Sequence, residues 1–369
     1  MRKYFGTDGI RRIANTELSP ELVYKVAKAG AYVLSKHTDH APTILIGRDT
    51  RISGSLIESA MVAGFLSYGA NVKILGVMPT PAVAYLTRRF KADASVVISA
   101  SHNTYEFNGV KYFSNKGMKI PDELEEEIEE VMDSGKIDEL TAVNDKIGVS
   151  EIRTDLLEEY VYFFRKNFEE ELENLDKENF VIAVDTANGA TSVVAEKVFE
   201  KLGIKHHIIN NNPDGININD NCGSTHLEGL KKFVVENKCS LGVAYDGDGD
   251  RCLLVDENGN EIDGDKILAV ISNYLKKKGE LKKDTVVATV MSNLGLNKYT
   301  ENNGLKLVQT KVGDRYVLEE MMKNGYNLGG EQSGHVILLD YNPTGDGILT
   351  SIMFIKTLLE ENKKASELC

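Results

Sequence analysis

Three times along the chain a strand-length apolar run is followed by a Gly-containing polar loop, a helical stretch and a second short strand, and this repeated layout restricts the fold more than any other feature. The leading runs span 43–49, 180–185 and 286–291. They are continuous in apolar residues, as expected of strands covered on both faces. The loops read Thr50-Arg-Ile-Ser-Gly54, Thr186-Ala-Asn-Gly189 and Ser292-Asn-Leu-Gly295. Helical patterns at 56–68, 192–202 and 296–303 come next, then strands at 71–75, 206–209 and 305–309. A further helix and a third strand, at 94–99, 241–245 and a shorter 326–328, complete each unit. The alternation predicts an α/β protein of three consecutive similar domains, each with a mixed, mostly parallel sheet between helices. The expected boundaries are 1–153, 154–255 and 256–369, a division that 369 residues readily support.

In such sheets ligands bind beyond the carboxyl ends of the strands. The loops after the third strands are therefore the place to look, and each is dense in functional groups. Asp246-Gly-Asp-Gly-Asp-Arg251 sets three carboxylates at alternate positions in a flexible loop. Carboxylates that close repel one another unless a cation intervenes, and all-oxygen ligands suit Mg²⁺ or Ca²⁺. The competing reading is a solvated acidic turn. An EF-hand is excluded, because its sixth position is Arg251 rather than glycine and a strand, Cys252-Leu-Leu-Val, follows. An aspartyl-nucleophile phosphatase would leave the third Asp unexplained. Ser101-His102-Asn103 reads either as a nucleophile beside a base or as an ordinary turn, with Lys111 ten residues on as a possible proton shuttle. Gly330-Glu-Gln-Ser-Gly-His335 offers a carboxylate, an amide, a hydroxyl and an imidazole, a mix suited to sugar hydroxyls and also found in polar hairpin turns.

Forty-three basic against 56 acidic side chains give a net charge of −13. That balance argues against nucleic acid and anionic membranes as partners. An anionic substrate would need local positive charge to offset it. Gly6-Thr-Asp-Gly-Ile-Arg11-Arg12 and Gly47-Arg48-Asp-Thr-Arg51-Ile-Ser-Gly54 are the basic candidates, the second opening a helix, where phosphate binds well. Neither a Walker loop nor a Rossmann fingerprint is present. The four cysteines form no CxxC pair, there is no apolar run of transmembrane length, and the N-terminal residues lack a signal-peptide core. A reducing cytoplasm is the expectation. The acidic stretch 122–130 is expected to be a solvated helix face.

Taken in order, Gly6-Thr-Asp-Gly-Ile-Arg11, Gly47-Arg-Asp-Thr-Arg-Ile-Ser-Gly54, Ile98-Ser-Ala-Ser-His-Asn103, Asp246-Gly-Asp-Gly-Asp-Arg251 and Gly330-Glu-Gln-Ser-Gly-His335 resemble the α-D-phosphohexomutase superfamily over the whole chain. Within it, Tyr4-Phe-Gly-Thr-Asp8, Asn217-Ile-Asn-Asp220, Gly223-Ser-Thr-His226, Val290-Met-Ser-Asn-Leu-Gly295 and Val312-Gly-Asp-Arg-Tyr-Val317 are most similar to the bacterial branch that acts on glucosamine phosphates. The resemblance implies interconversion of glucosamine 6-phosphate and glucosamine 1-phosphate through a phosphoserine and glucosamine 1,6-bisphosphate, feeding UDP-N-acetylglucosamine and cell-wall synthesis. Ser101 would carry the phosphate and, with Asp246, Asp248 and Asp250, bind Mg²⁺. Arg11, Lys111 and His335 would handle charge and protons, and His102, Arg251, Glu331 and Ser333 would bind substrate. The implied partners are a phosphorylated amino sugar and a second copy in a homodimer. Alternatives are a phosphomannomutase or phosphoglucomutase, or a non-catalytic sugar-phosphate-binding protein. Three residues depart from the superfamily pattern: Thr104 stands where proline is usual, Phe107 where an acidic residue is usual, and Arg12 where glycine is usual. The superfamily's fourth domain, with its Arg-x-Ser-Gly-Thr-Glu-Pro loop, has no counterpart in the sequence, so impaired turnover is expected.

Overall fold

The computed structural model describes residues 3–6, 8–36 and 38–369; Thr7 of the N-terminal motif lies outside them. The strands are β1 (Ile10–Ile13), β2 (Thr43–Arg48), β3 (Asn71–Val77), β4 (Ala94–Ile98), β5 (Phe107–Ser114) and β6 (Ser150–Ile152) in a first sheet. A second holds β7 (Val181–Asp185), β8 (Lys205–Ile209), β9 (Leu241–Tyr245), β10 (Cys252–Asp256) and β11 (Glu261–Ile262). A third holds β12 (Thr285–Thr289), β13 (Lys306–Thr310), β14 (Leu328–Gly330) and β15 (Val336–Leu338).

One topology underlies all three. The orders β3-β2-β4-β5, β8-β7-β9-β10 and β13-β12-β14-β15 each place three parallel strands beside a fourth that runs antiparallel to the third. The first sheet adds β1 beside β5 and β6 beside β3; the second adds β11 beside β10. The chain is thus three α/β/α repeats of mixed sheet. The 99–106, 246–251 and 331–335 loops are equivalent: each joins the last parallel strand to its antiparallel neighbour.

By compactness the chain divides into two units, one of residues 1–160 with 213–218 and one of 161–212 with 219–369. In the first, Val23, Val26, Ile44, Ile46, Met61, Phe65 and Val96 belong to a core between the sheet and the helices Pro20–Ser35, Gly54–Tyr68 and Asp122–Asp133. Ser19 starts the first of these, its hydroxyl accepting from the Leu22 amide at 3.3 Å with Pro20 at the first helical position.

Two expectations need correction. The strand expected at 326–328 is Leu328–Gly330, so two glycines assigned to the loop lie in the sheet. A Cβ on Gly329 would stand 2.6 Å from Met321 Sδ and 2.8 Å from Val317, so only glycine lets the helix Asp314–Asn324 pack this close. The acidic helix Asp122–Asp133 is not merely solvated, because Glu125 and Glu129 are buried. Glu129 accepts the backbone amides of Lys3, Tyr4 and Phe5 at 2.6, 2.6 and 2.7 Å and so fastens the N-terminal segment that carries Asp8 and Arg11. Among the described residues no helix is long and apolar enough to cross a membrane.

Candidate active site

In the first unit, Ser101 sits just past the end of β4 with φ 50°, in the left-handed region that a serine seldom occupies. It is 2% exposed, and its hydroxyl lies 3.4 Å from His102 Nδ1. The backbone around it is held from below by Arg51, whose side chain is wholly buried and paired with Asp49 at 2.8 Å. The Arg51 guanidinium donates to the carbonyls of Ser101 and Asn103, each at 2.9 Å, and of Thr104 at 2.5 Å. Asp49 in turn accepts from Ser99 Oγ at 2.6 Å, and Ser99 Oγ accepts from the Ser101 amide at 2.9 Å. The phosphate-binding role expected for the 47–54 segment is therefore corrected. Arg51 is spent on the loop, and Arg48 is engaged with Glu58 at 3.5 Å and the Asp49 carbonyl at 3.3 Å.

Positive charge near Ser101 comes instead from β1 and β5. Arg11 donates to the Asn103 side chain at 3.0 Å and to Asp8 at 2.8 Å. Asp8 also pairs with Lys111 at 3.2 Å and with Lys119 at 2.5 Å. Burial opposes ionisation of Asp8, yet Lys111, Lys119 and Arg11 hold its carboxyl well below the usual carboxylate range. Three cations on one carboxylate leave the cluster at +2. Lys111 is 2% exposed. Gly109 lets these strands close up, since a Cβ there would stand 2.5 Å from the Ser99 carbonyl and 2.6 Å from that of Ile10. Asp8 and Lys119 were not singled out from the sequence. Asp8 lay unused inside a motif noted for its arginines, and Lys119 carries no local signal at all. Arg12 donates to the Lys3 carbonyl at 2.9 Å, away from this cluster.

In the second unit, Asp246, Asp248 and Asp250 are buried, with one carboxylate oxygen of each within 4.8 Å of the others. Gly249 has φ 73°, and the Gly247 carbonyl accepts the Ala190 amide at 2.8 Å, so the 186–190 loop buttresses the acidic one. The Arg251 amide donates to Asp246 at 3.2 Å. Burial works against the Arg251 guanidinium, but Asp250, Asp246, Glu331 and Asp248 raise its pKa above the ordinary arginine value. Three carboxylates against one guanidinium leave the loop at −2. Buried oxygen ligands clustered this closely fit a hard divalent cation.

His335 stands behind that cluster, 2% exposed. The Gly345 amide donates to its Nε2 at 3.0 Å, so in the neutral ring the proton belongs on Nδ1, 3.6 Å from Asp250. Asp314 lies 3.3 Å from the Nε2 side. His335 thus stands between Asp250 and Asp314. Glu331 accepts the Gly313 amide at 3.2 Å and is half-buried, while Ser333 is exposed at the tip of its hairpin. Asp314 was visible in the sequence only as part of a motif.

The sequence profiles of the phosphoglucomutase/phosphomannomutase alpha/beta/alpha domains I, II and III match residues 2–138, 158–259 and 263–369. Phosphoglucosamine mutase of Ruminiclostridium cellulolyticum is 52% identical over 368 residues, covering 100% of this chain and 81% of the relative. That of Clostridium botulinum strain Eklund 17B is 54% identical over 369 residues with the same coverage. The chain belongs to the phosphoglucomutase/phosphomannomutase family. A phosphoglucomutase/phosphomannomutase family structure from Burkholderia thailandensis shares the fold at TM-score 0.84 and 21% identity, covering 99% of this chain and 78% of that one. Aspergillus fumigatus N-acetylphosphoglucosamine mutase, solved with GlcNAc-6P and magnesium, shares it at TM-score 0.68 and 15% identity, covering 100% and 79%. The three loops described above are thus the chain's own versions of phosphoglucomutase/phosphomannomutase family loops.

Proposed function

We propose that this chain acts on glucosamine phosphates as a phosphohexomutase, moving a phosphoryl group between O6 and O1 through glucosamine 1,6-bisphosphate. The supporting observation is its identity of 52–54% with phosphoglucosamine mutases across its full length. Its domains are taken as 1–153, 154–255 and 256–369. Ser101 is the phosphate carrier: its backbone is held left-handed just past β4, and Arg11 and Lys111 supply the charge that a phosphoryl group requires. Lys111, held by Asp8, gives or takes the proton of the sugar hydroxyl. Asp246, Asp248 and Asp250 would hold Mg²⁺. When bound, that ion neutralises charge on the phosphoryl group being transferred. Arg251 adds a fixed positive charge, and His102, Glu331 and Ser333 bind the sugar phosphate. His335 keeps Asp250 in place.

Incubation with glucosamine 1,6-bisphosphate and Mg²⁺, followed by peptide mass spectrometry, tests the carrier. Phosphate is expected on Ser101 and absent in Ser101→Ala. Near-normal turnover of glucosamine 6-phosphate by Ser101→Ala would sink the covalent scheme. Faster turnover of mannose 6-phosphate than of glucosamine 6-phosphate would overturn the substrate assignment.

A further inference from the structure

We propose that Arg51 is a positioning residue for Ser101, setting the backbone from which the hydroxyl reacts while touching neither substrate nor metal. The proposal rests on the reading of Ser101 as the phosphate carrier. Its basis is geometric. Ser101 has φ 50°, a strained conformation for a residue other than glycine that persists only where the surroundings impose it. Here Arg51, Asp49 and Ser99 impose it. With Ser101 left-handed, its carbonyl turns inward, and Arg51 binds it together with the carbonyls of Asn103 and Thr104. A planar fork can meet three carbonyls at fixed angles while its Nε donates to Asp49; a lysine ammonium cannot. The far side of the same loop is held by the Asp49–Ser99–Ser101 amide relay.

The same clamp reaches Thr104. Where the superfamily pattern has proline to stiffen the loop from within, this chain has a residue without that restraint. Its carbonyl accepts from Arg51 and from the Phe107 amide at 3.2 Å. The stiffness is supplied from outside the loop, by a buried cation anchored on another segment.

The test compares wild type with Arg51→Lys in single-turnover phosphorylation of Ser101 by glucosamine 1,6-bisphosphate, alongside amide hydrogen exchange of residues 101–106. The maximal rate is expected to fall about 100-fold, as for a displacement near 1 Å at a reacting group. The half-saturating concentration is expected to stay within about threefold, because no substrate contact is removed. Exchange in the loop should quicken while the sheet keeps its protection. If Arg51→Lys does not fold, the paired variant Asp49→Asn with Arg51→Met removes both buried charges together and is read the same way. An unchanged maximal rate with unchanged loop exchange overturns the proposal. So does a change confined to half-saturation, which would make Arg51 a binding group. Quickened loop exchange in a wild-type comparison where Ser101 never takes phosphate overturns the carrier reading itself, and with it the catalytic consequence of the clamp.

Discussion

Replacing Asp8 by asparagine should remove the one carboxylate shared by Arg11, Lys111 and Lys119 and leave three cations facing one another. Breaking a buried pair by deleting one partner costs about 3–5 kcal/mol. The Asp8 side chain is 29% exposed, so water takes up part of the loss and a discounted cost of about 2–3 kcal/mol applies. For a unit of this size that amounts to a melting transition roughly 5–10 °C lower. The pH dependence is the sharper test. Asp8 is depressed in the folded state, so its contribution is fully present above the unfolded carboxylate pKa of about 3.9 and is lost as pH falls through the folded value. The difference between wild type and Asp8→Asn should therefore be constant between about pH 7 and 5 and shrink only in stronger acid. Inorganic phosphate should raise the variant's melting temperature more than the wild type's, because the freed cations accept an anion in place of the carboxylate. Calorimetry at several pH values reads all of this. A stability difference under about 0.5 kcal/mol at neutral pH, or one that fades before pH 5, would refute the cluster as described.

Two further outcomes are expected. Glu129→Gln turns an amide NH₂ toward one of the three backbone donors of residues 3–5 and should cost about 2–3 kcal/mol; unaltered proteolytic resistance of the N-terminal segment would count against it. His335→Ala removes the group behind Asp250 and should weaken Mg²⁺ or Mn²⁺ binding about 10–100-fold by titration calorimetry; unchanged affinity would show that Asp250 needs no such support.

The repeat was legible because parallel strands buried on both faces write long apolar runs into the sequence, as β2, β7 and β12 do. The fourth, antiparallel strand was legible in the second unit alone, as Cys252-Leu-Leu-Val. In the first, β5 mixes Asn108 and Lys111 with apolar residues, and in the third, β15 is three residues long; β14, a third strand, is largely Gly-Gly, a pair that reads as a turn until the packed helix is seen. The site divides along the same line. Asp246, Asp248 and Asp250 announce themselves by spacing within one loop. Asp8, Lys119 and the work of Arg51 depend on neighbours far along the chain: Asp8 meets Lys119 across 111 positions and Arg51 meets Ser101 across 50. Arg51 misled for a definite reason. An arginine before a helix N-terminus fits a phosphate site as well as a loop clamp, and only its burial distinguishes the two.

That correction sharpens the question raised by a net charge of −13. An acidic chain that handles phosphate cannot rely on its overall field, which falls off within about 8 Å at physiological ionic strength. Here the charge is sorted by loop. The cluster beside Ser101 sets Arg11, Lys111 and Lys119 around Asp8, while the 246–251 loop carries three aspartates against Arg251. The first favours an anion and the second a cation, each through side chains that are buried or partly buried, where Coulomb terms outlast salt screening. The global charge then matters little to chemistry at either place. It follows that activity should respond to salt far less than the overall charge suggests, and that charge reversals on exposed residues should leave it nearly untouched while Asp8→Asn does not.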